Sequence, residues 1–215
     1  MMTRLWQAMG RQLRHPTGMA GSVIGWAMVH TNRIPNRRAV AALGLTNRDH
    51  VLEIGFGPGE SLATMTAQAS GARIHGIDQS ARMLAMAARR NRVAIAAGHV
   101  TLALGPFAPL PWPDRTFDKI LLVNVVYFFD PRGHAMAEVH RVLRPGGRVV
   151  VYATDGATMQ NWLFSTPHTH RLFDAEDLRL LLVDGGFGEA TITVERLQLP
   201  FGVEGLLAAG SKALP

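Results

Sequence analysis

From residue 50 onward, short apolar runs alternate with stretches of helical spacing, and few architectures accept that pattern. The runs are 50–54, 73–77, 99–104, 118–125 and 147–153, each with the length and character of a strand buried on both faces. Between them, Glu60–Ala69, Ser80–Asn91 and Gly133–Leu143 carry helical patterning. Strands joined through helices pair in parallel, with the helices covering both faces of the sheet. Toward the C-terminus the pattern changes. "DAEDLRLLLVDGGF" reads as an amphipathic helix stopped by Gly185 and Gly186. Two further β-like runs, 190–196 and 203–211, lie close enough to pair as an antiparallel edge hairpin. The expectation is an α/β fold: a doubly wound, mostly parallel sheet of seven strands.

The first 48 residues stand apart. Over residues 4–14, Leu5, Trp6, Met9 and Leu13 share one helical face, while Arg4, Gln7, Arg11 and Arg14 share the other. "HPTG" ends that helix, Met19–Thr31 suits a second, and Pro35 and Asn36 open a third with Asn36 as N-cap. Seven arginines precede the first acidic residue, Asp49, in a chain of net charge +6. A basic end suits an anionic partner. It equally suits a chain that favours arginine, since lysine occurs only at Lys119 and Lys212. Cysteine is missing, so disulfides and thiolate metal sites are excluded. No run reaches the roughly 18 apolar residues of a spanning helix. Met19–Val29 begins too far in for a signal peptide. The expected location is cytoplasmic.

"HVLEIGFGPGES" then asks what ligand needs a backbone without side chains. Gly55, Gly57 and Gly59 follow a buried strand that carries Glu53, and a helix follows them. The dinucleotide spacing G-x-G-x-x-G fails, because position 60 is Glu. A strand ending beside an acid, then alternating glycines, suits a nucleoside ligand. Asp78 ends the second strand, where a carboxylate can accept both ribose hydroxyls. Alternatively it caps the following helix, a task that Ser80 could perform equally well.

At these residues the chain resembles the class I S-adenosylmethionine-dependent methyltransferases, small-molecule type, often called type 11. "VLEIGFGPG" is similar to motif I and "GIDQS" to motif II. "LPWPDRTFDKILLVNVVYFF" resembles the segment that runs into strand four, and "EVHRVLRPGGRVVV" the helix–turn–strand five signature. The resemblance covers residues 36 to 215 and implies a Rossmann-like domain there; the helical pattern of the residues before it adds a helical lid or cap over residues 1–35. It implies S-adenosylmethionine as cofactor and S-adenosylhomocysteine as product. Gly55, Phe56, Gly57 and Gly59 would line the methionine end and Glu53 would support the amino group. Asp78 would bind the ribose, with Gln79 and Met83 by the adenosine and Asn124 and Val125 beside the transferable methyl. The family usually has an acidic residue after a glycine following strand three. Here Pro106 stands in that place, so adenine recognition falls to backbone from Gly105 to Ala108 and to stacking on Phe107.

Methyl transfer from a sulfonium needs alignment and exclusion of water more than a dedicated catalytic group. A general base adds roughly 10²–10⁴-fold only where the acceptor carries a proton. Tyr127 is the first candidate to orient the acceptor, with packing of the loop as its other reading. His134 is a second candidate, or a surface residue at a helix start. His168 and His170 form H-x-H without a third ligand, a poor zinc signature, so no metal is expected. The acceptor signature (N/D)-P-P-(Y/F) is missing, which argues against DNA and glutamine. Arginines without interleaved aromatics argue against RNA. The expected acceptor is a small, hydrophobic or lipid-like molecule, with the basic helix serving as a lid or as a peripheral membrane anchor. The alternatives are a catalytically silent cofactor-binding relative and a nicotinamide-dependent oxidoreductase.

Overall fold

The chain is described here by a computed structural model covering residues 32–130, 132–162 and 170–215. Helix α1, Arg33–Leu43, leads into strand β1, His50–Ile54. There follow α2 (Glu60–Gln68), β2 (Arg73–Asp78), α3 (Ala81–Arg90), the short α4 (Arg92–Ala96) and β3 (Val100–Leu104). The second half runs β4 (Phe117–Val123), α5 (His134–Val142), β5 (Leu143–Thr154), α6 (Gly156–Met159), α7 (Ala175–Asp184), β6 (Thr193–Leu199) and β7 (Val203–Ser211). The strands form one sheet in the order β3-β2-β1-β4-β5-β7-β6. The first five are mutually parallel, and β7 lies antiparallel to both β5 and β6. The expected Rossmann-like sheet of seven strands is what forms.

Alternation along each strand divides the core into two halves. On one face Val51, Ile74, Leu121 and Val150 pack against Ala39, Val40 and Leu43 of α1 and Leu62 and Met65 of α2. On the other, Leu52, Ile54, Ile120 and Val149 pack against Met136 and Val139 of α5 and Leu178 and Leu182 of α7. Each fully buried Leu or Ile contributes about 1.5–3 kcal/mol relative to exposure, so both layers hold the sheet. At the amino edge, Asp118 accepts the N–H of His50 and both bonds from Arg144 Nη1, tying β1, β4 and β5 together.

Several boundaries differ from the sequence reading, two of them at the ends of the described fold. Helix α1 begins at Arg33 with Asn32 in the N-cap position, and Asn36 lies inside the helix. Pro35 therefore occupies the first turn, where its missing N–H costs nothing. The last hairpin starts three residues later than 190, because Glu189–Thr191 form a 3₁₀ turn. The expected helices over 4–14 and 19–31, with their lid or anchor role, lie outside the described residues.

Candidate active site

Between β1 and β4 the winding of the sheet reverses, which opens a crevice beyond the carboxyl ends of those strands. An open cleft lies there, lined by Glu53, Gly55, Phe56 and Gly57, by Asn32 at the N-cap of α1 and by Asn36 within it. Gly55 has φ +72°, and a Cβ on it would come within 2.5 Å of Val125 Cγ2. The first turn and the end of β4 are thus packed backbone to side chain. Gly57, φ +51°, differs: a Cβ there would meet nothing within 4 Å. It keeps the cleft side of the turn open, as the close approach of a ligand requires.

The turn's amide groups are engaged. Gly55 donates to Ile77 O at 2.8 Å, Gly59 to Phe56 O at 2.9 Å and Gly57 to Asp78 Oδ2 at 2.9 Å. Asp78 Oδ1 accepts the N–H of Ser80, while Ser80 Oγ accepts from Met83 N and caps α3. Capping therefore belongs to Ser80, and Asp78 braces the glycine turn from the end of β2. Gln79 beside it is half-buried and Met83 is buried.

Glu53 is 2% exposed, and its Oε2 has no hydrogen-bond partner among the described residues. Burial, with Asp78 adding repulsion, pushes its carboxyl up to about 8, against the pull of a hydrogen bond from Ser61. An orphaned buried acceptor lining a cleft is a site waiting for a donor or cation. Together with the open face of Gly57 and the carboxylate of Asp78, it fits the ammonium and ribose of a nucleoside amino acid.

Opposite the turn, β4 is followed by an unusual residue. Asn124 has φ +54°, a left-handed conformation that Asn tolerates better than most residues. Its Oδ1 accepts from the hydroxyl of Tyr127 at 2.7 Å, and its Nδ2 donates to Asn32 Oδ1 at 2.9 Å. The Tyr127 oxygen also accepts the N–H of Thr154. Burial pushes this phenol well above its ordinary range, so at neutral pH it donates and positions and does not take up a proton. Val125 is buried against Gly55.

Other predicted residues are placed less centrally. Phe107 is buried and packs on Phe129 at 5.9 Å between centroids, so adenine stacking would require its ring to turn outward. Pro106 is exposed and Gly105 half-buried above Ile77. His134 is a surface residue, its side chain 64% exposed and paired with Asp130 at 2.8 Å. His170 packs on Tyr127 and Phe128, and His168 lies outside the described residues. Among the described residues no cluster of three metal-ligating side chains occurs.

Sequence reasoning missed the outer support of the turn. Asn91 Nδ2 donates to Gly59 O at 3.0 Å and Arg90 Nε to Pro58 O at 3.2 Å, both from the C-terminal end of α3. Gly76 of β2 was missed too: a Cβ there would sit 2.6 Å from the ring of Phe56. Asn36 gave only a helix-start signal, and Asn32 gave none.

With this geometry in place, likeness to other proteins is informative. Residues 52–151 match the family described as a methyltransferase domain. An uncharacterized methyltransferase of Bacillus subtilis, YdaC, is 32% identical over 129 residues, which is 60% of this chain and 69% of that one. A ubiquinone/menaquinone biosynthesis C-methyltransferase of Geobacter sulfurreducens is 31% identical over 156 residues, covering 70% of this chain and 56% of the relative. In fold, the chain is similar to phosphoethanolamine N-methyltransferase 2 of Haemonchus contortus, solved with S-adenosyl-L-methionine. The TM-score is 0.70 at 16% identity, over 83% of this chain and 52% of that one. These matches set the nicotinamide alternative aside. The chain belongs to the class I S-adenosylmethionine-dependent methyltransferases.

Proposed function

We propose that this chain transfers the methyl group of S-adenosylmethionine to a small apolar acceptor, a quinone-type ring being the first to try. The observation that carries the reading is the cleft itself: a buried carboxyl, Glu53, with its Oε2 unpartnered, beside a glycine turn held open at Gly57 and braced by Asp78. Under this reading Glu53 holds the ammonium and Asp78 the ribose hydroxyls. Gly55 and Gly57 admit the methionine chain, and Val125 and Asn124 flank the reacting centre. The cofactor supplies an electrophilic methyl on sulfur. The protein's own residues align the acceptor and keep water out. Tyr127, locked between Asn124 and Thr154, holds the strand-four loop in shape for that alignment.

The apolar acceptor is supported by the name of the Geobacter sulfurreducens relative and by the buried Val125, Val126 and Phe129 behind the loop. The domain division at residues 35 and 36, a cytoplasmic location and a covering or membrane-contacting first segment belong to the same proposal. Among the described residues no helix is long and apolar enough to cross a membrane.

The test is a calorimetric titration with S-adenosylhomocysteine, NAD as control, followed by transfer of labelled methyl to an extractable demethylated quinone. Saturable binding weakened by Asp78→Asn, with label entering the organic phase, is the expected result. Asn can satisfy only one of the two N–H groups that Asp78 accepts. Binding without transfer to any acceptor would instead identify a silent relative, and no binding would end the reading.

A further inference from the structure

The cleft has a third wall that neither the glycine turn nor β4 supplies. Asn32 and Asn36 of α1 both line it. Four residues apart, they fall on one side of the helix. Neither does the usual work of an asparagine at a helix start. Asn32 stands at the N-cap without a side-chain cap bond. Its Oδ1 instead accepts from Asn124 Nδ2, and its amide hydrogens have no acceptor among the described residues. Asn36 is 8% exposed in the helix interior, where a small apolar residue would cost less. Its amide reaches only Glu60 Oε2, at 3.5 Å, the outer limit of a hydrogen bond. Two amides with unspent donors therefore border a cleft that also holds the unpartnered Oε2 of Glu53. The glycine turn, by contrast, has spent the N–H groups of Gly55, Gly57 and Gly59 on Ile77, Asp78 and Phe56.

We infer that Asn32 and Asn36 are a carboxylate-binding pair, reading the amino-acid end of the cofactor while Glu53 takes its ammonium. The inference rests on the methyltransferase reading and adds to it a recognition element outside the glycine turn. An α-amino acid end carries both charges, and a site with an acceptor alone would leave the carboxylate desolvated without a donor. The amides of α1 supply that donor without adding a charge to the cleft. Asn32 has a second consequence: through Asn124 it ties carboxylate recognition to the loop that carries Tyr127.

The test compares two ligands on three proteins. S-adenosylhomocysteine and 5′-methylthioadenosine share adenosine and thioether, but the second lacks the amino-acid end. Each is titrated into wild type, Asn36→Leu and Asn32→Ala, with thermal melting as the folding check. Asn32 is half-buried, so its variant keeps the test usable if Asn36→Leu fails to fold. Hydrogen bonds to a charged group predict roughly ten- to hundredfold weaker S-adenosylhomocysteine binding, with methylthioadenosine affinity unchanged. Equal losses for both ligands, or no loss for either, would overturn the assignment and leave the asparagines as parts of the wall. Wild type that binds methylthioadenosine but not S-adenosylhomocysteine would also overturn it. Wild type that binds neither would defeat the methyltransferase reading itself.

Discussion

Glu53 concentrates the chemistry of the site in one carboxyl group. Its pKa rises from 4.5 to about 8 on folding. The folded chain therefore holds a proton across that window which the unfolded chain has released. The stabilising contribution is complete below about 4.5 and is lost as pH rises through 8. Melting curves of ligand-free protein should fall over that range, and Glu53→Gln should flatten the fall. Ligand binding has the opposite sign, because an ammonium favours the ionised carboxylate. S-adenosylhomocysteine affinity should grow toward pH 8 with proton release, seen as a buffer-dependent calorimetric enthalpy that Glu53→Gln abolishes. Gly55 offers a separate test. Gly55→Ala should cost about 1–2 kcal/mol for the positive φ and about 1–3 kcal/mol for crowding Val125. Adding Val125→Ala should recover only a fraction of the second part, because the Cβ of residue 125 would still lie 2.8 Å from the new methyl. Tyr127→Phe should cost about 1–3 kcal/mol, since Thr154 N and Asn124 Oδ1 lose their shared partner.

At the scale of elements, what could be read from the sequence follows how local each signal is. Strands β1 and β2 and helices α2, α3 and α5 were legible almost to the residue, because apolar spacing and a cap such as Ser80 act within a few positions. Strand β4 stops at Val123, not 125, because Asn124 turns left-handed to reach Tyr127 and Asn32. Strand β5 begins at Leu143, four residues early, because Leu143 pairs with Phe117 before a register shift. The contacts of Asn124 with Asn32 and of Leu143 with Phe117 are long-range and leave no local mark. The same holds for the site: the glycine turn and Asp78 announce themselves, whereas Asn36 and Asn91 matter only once α1 and α3 have docked. The loop after β3 shows how such docking is secured. Arg141 of α5 donates to Leu110 O, Trp112 O, Asp114 and Glu138, and Glu138 accepts from Leu110 N. Arg141→Ala should cost about 1–3 kcal/mol and speed amide exchange at Leu110. Lysine should not restore protection, because it lacks the planar fork.

For the whole molecule, the decisive join is β5 with β7. Strand β5 is parallel to β4 on one side and antiparallel to β7 on the other, so the last strand pairs the edge of β5 that the five parallel strands leave bare. A chain ending at residue 188 would expose the whole edge of β5, an unpaired template for aggregation. It should be recovered insoluble, whereas removing only residues 213–215 should leave melting unchanged. The ring of Phe56 carries a further consequence. It lies where a side chain on Gly76 would have to go, so the ligand turn and the second strand share one volume. Over generations, then, positions 56 and 76 are not free to drift separately. Wherever descendants of this chain acquire a side chain at 76, the aromatic at 56 should have been surrendered, and the two changes should be inherited together.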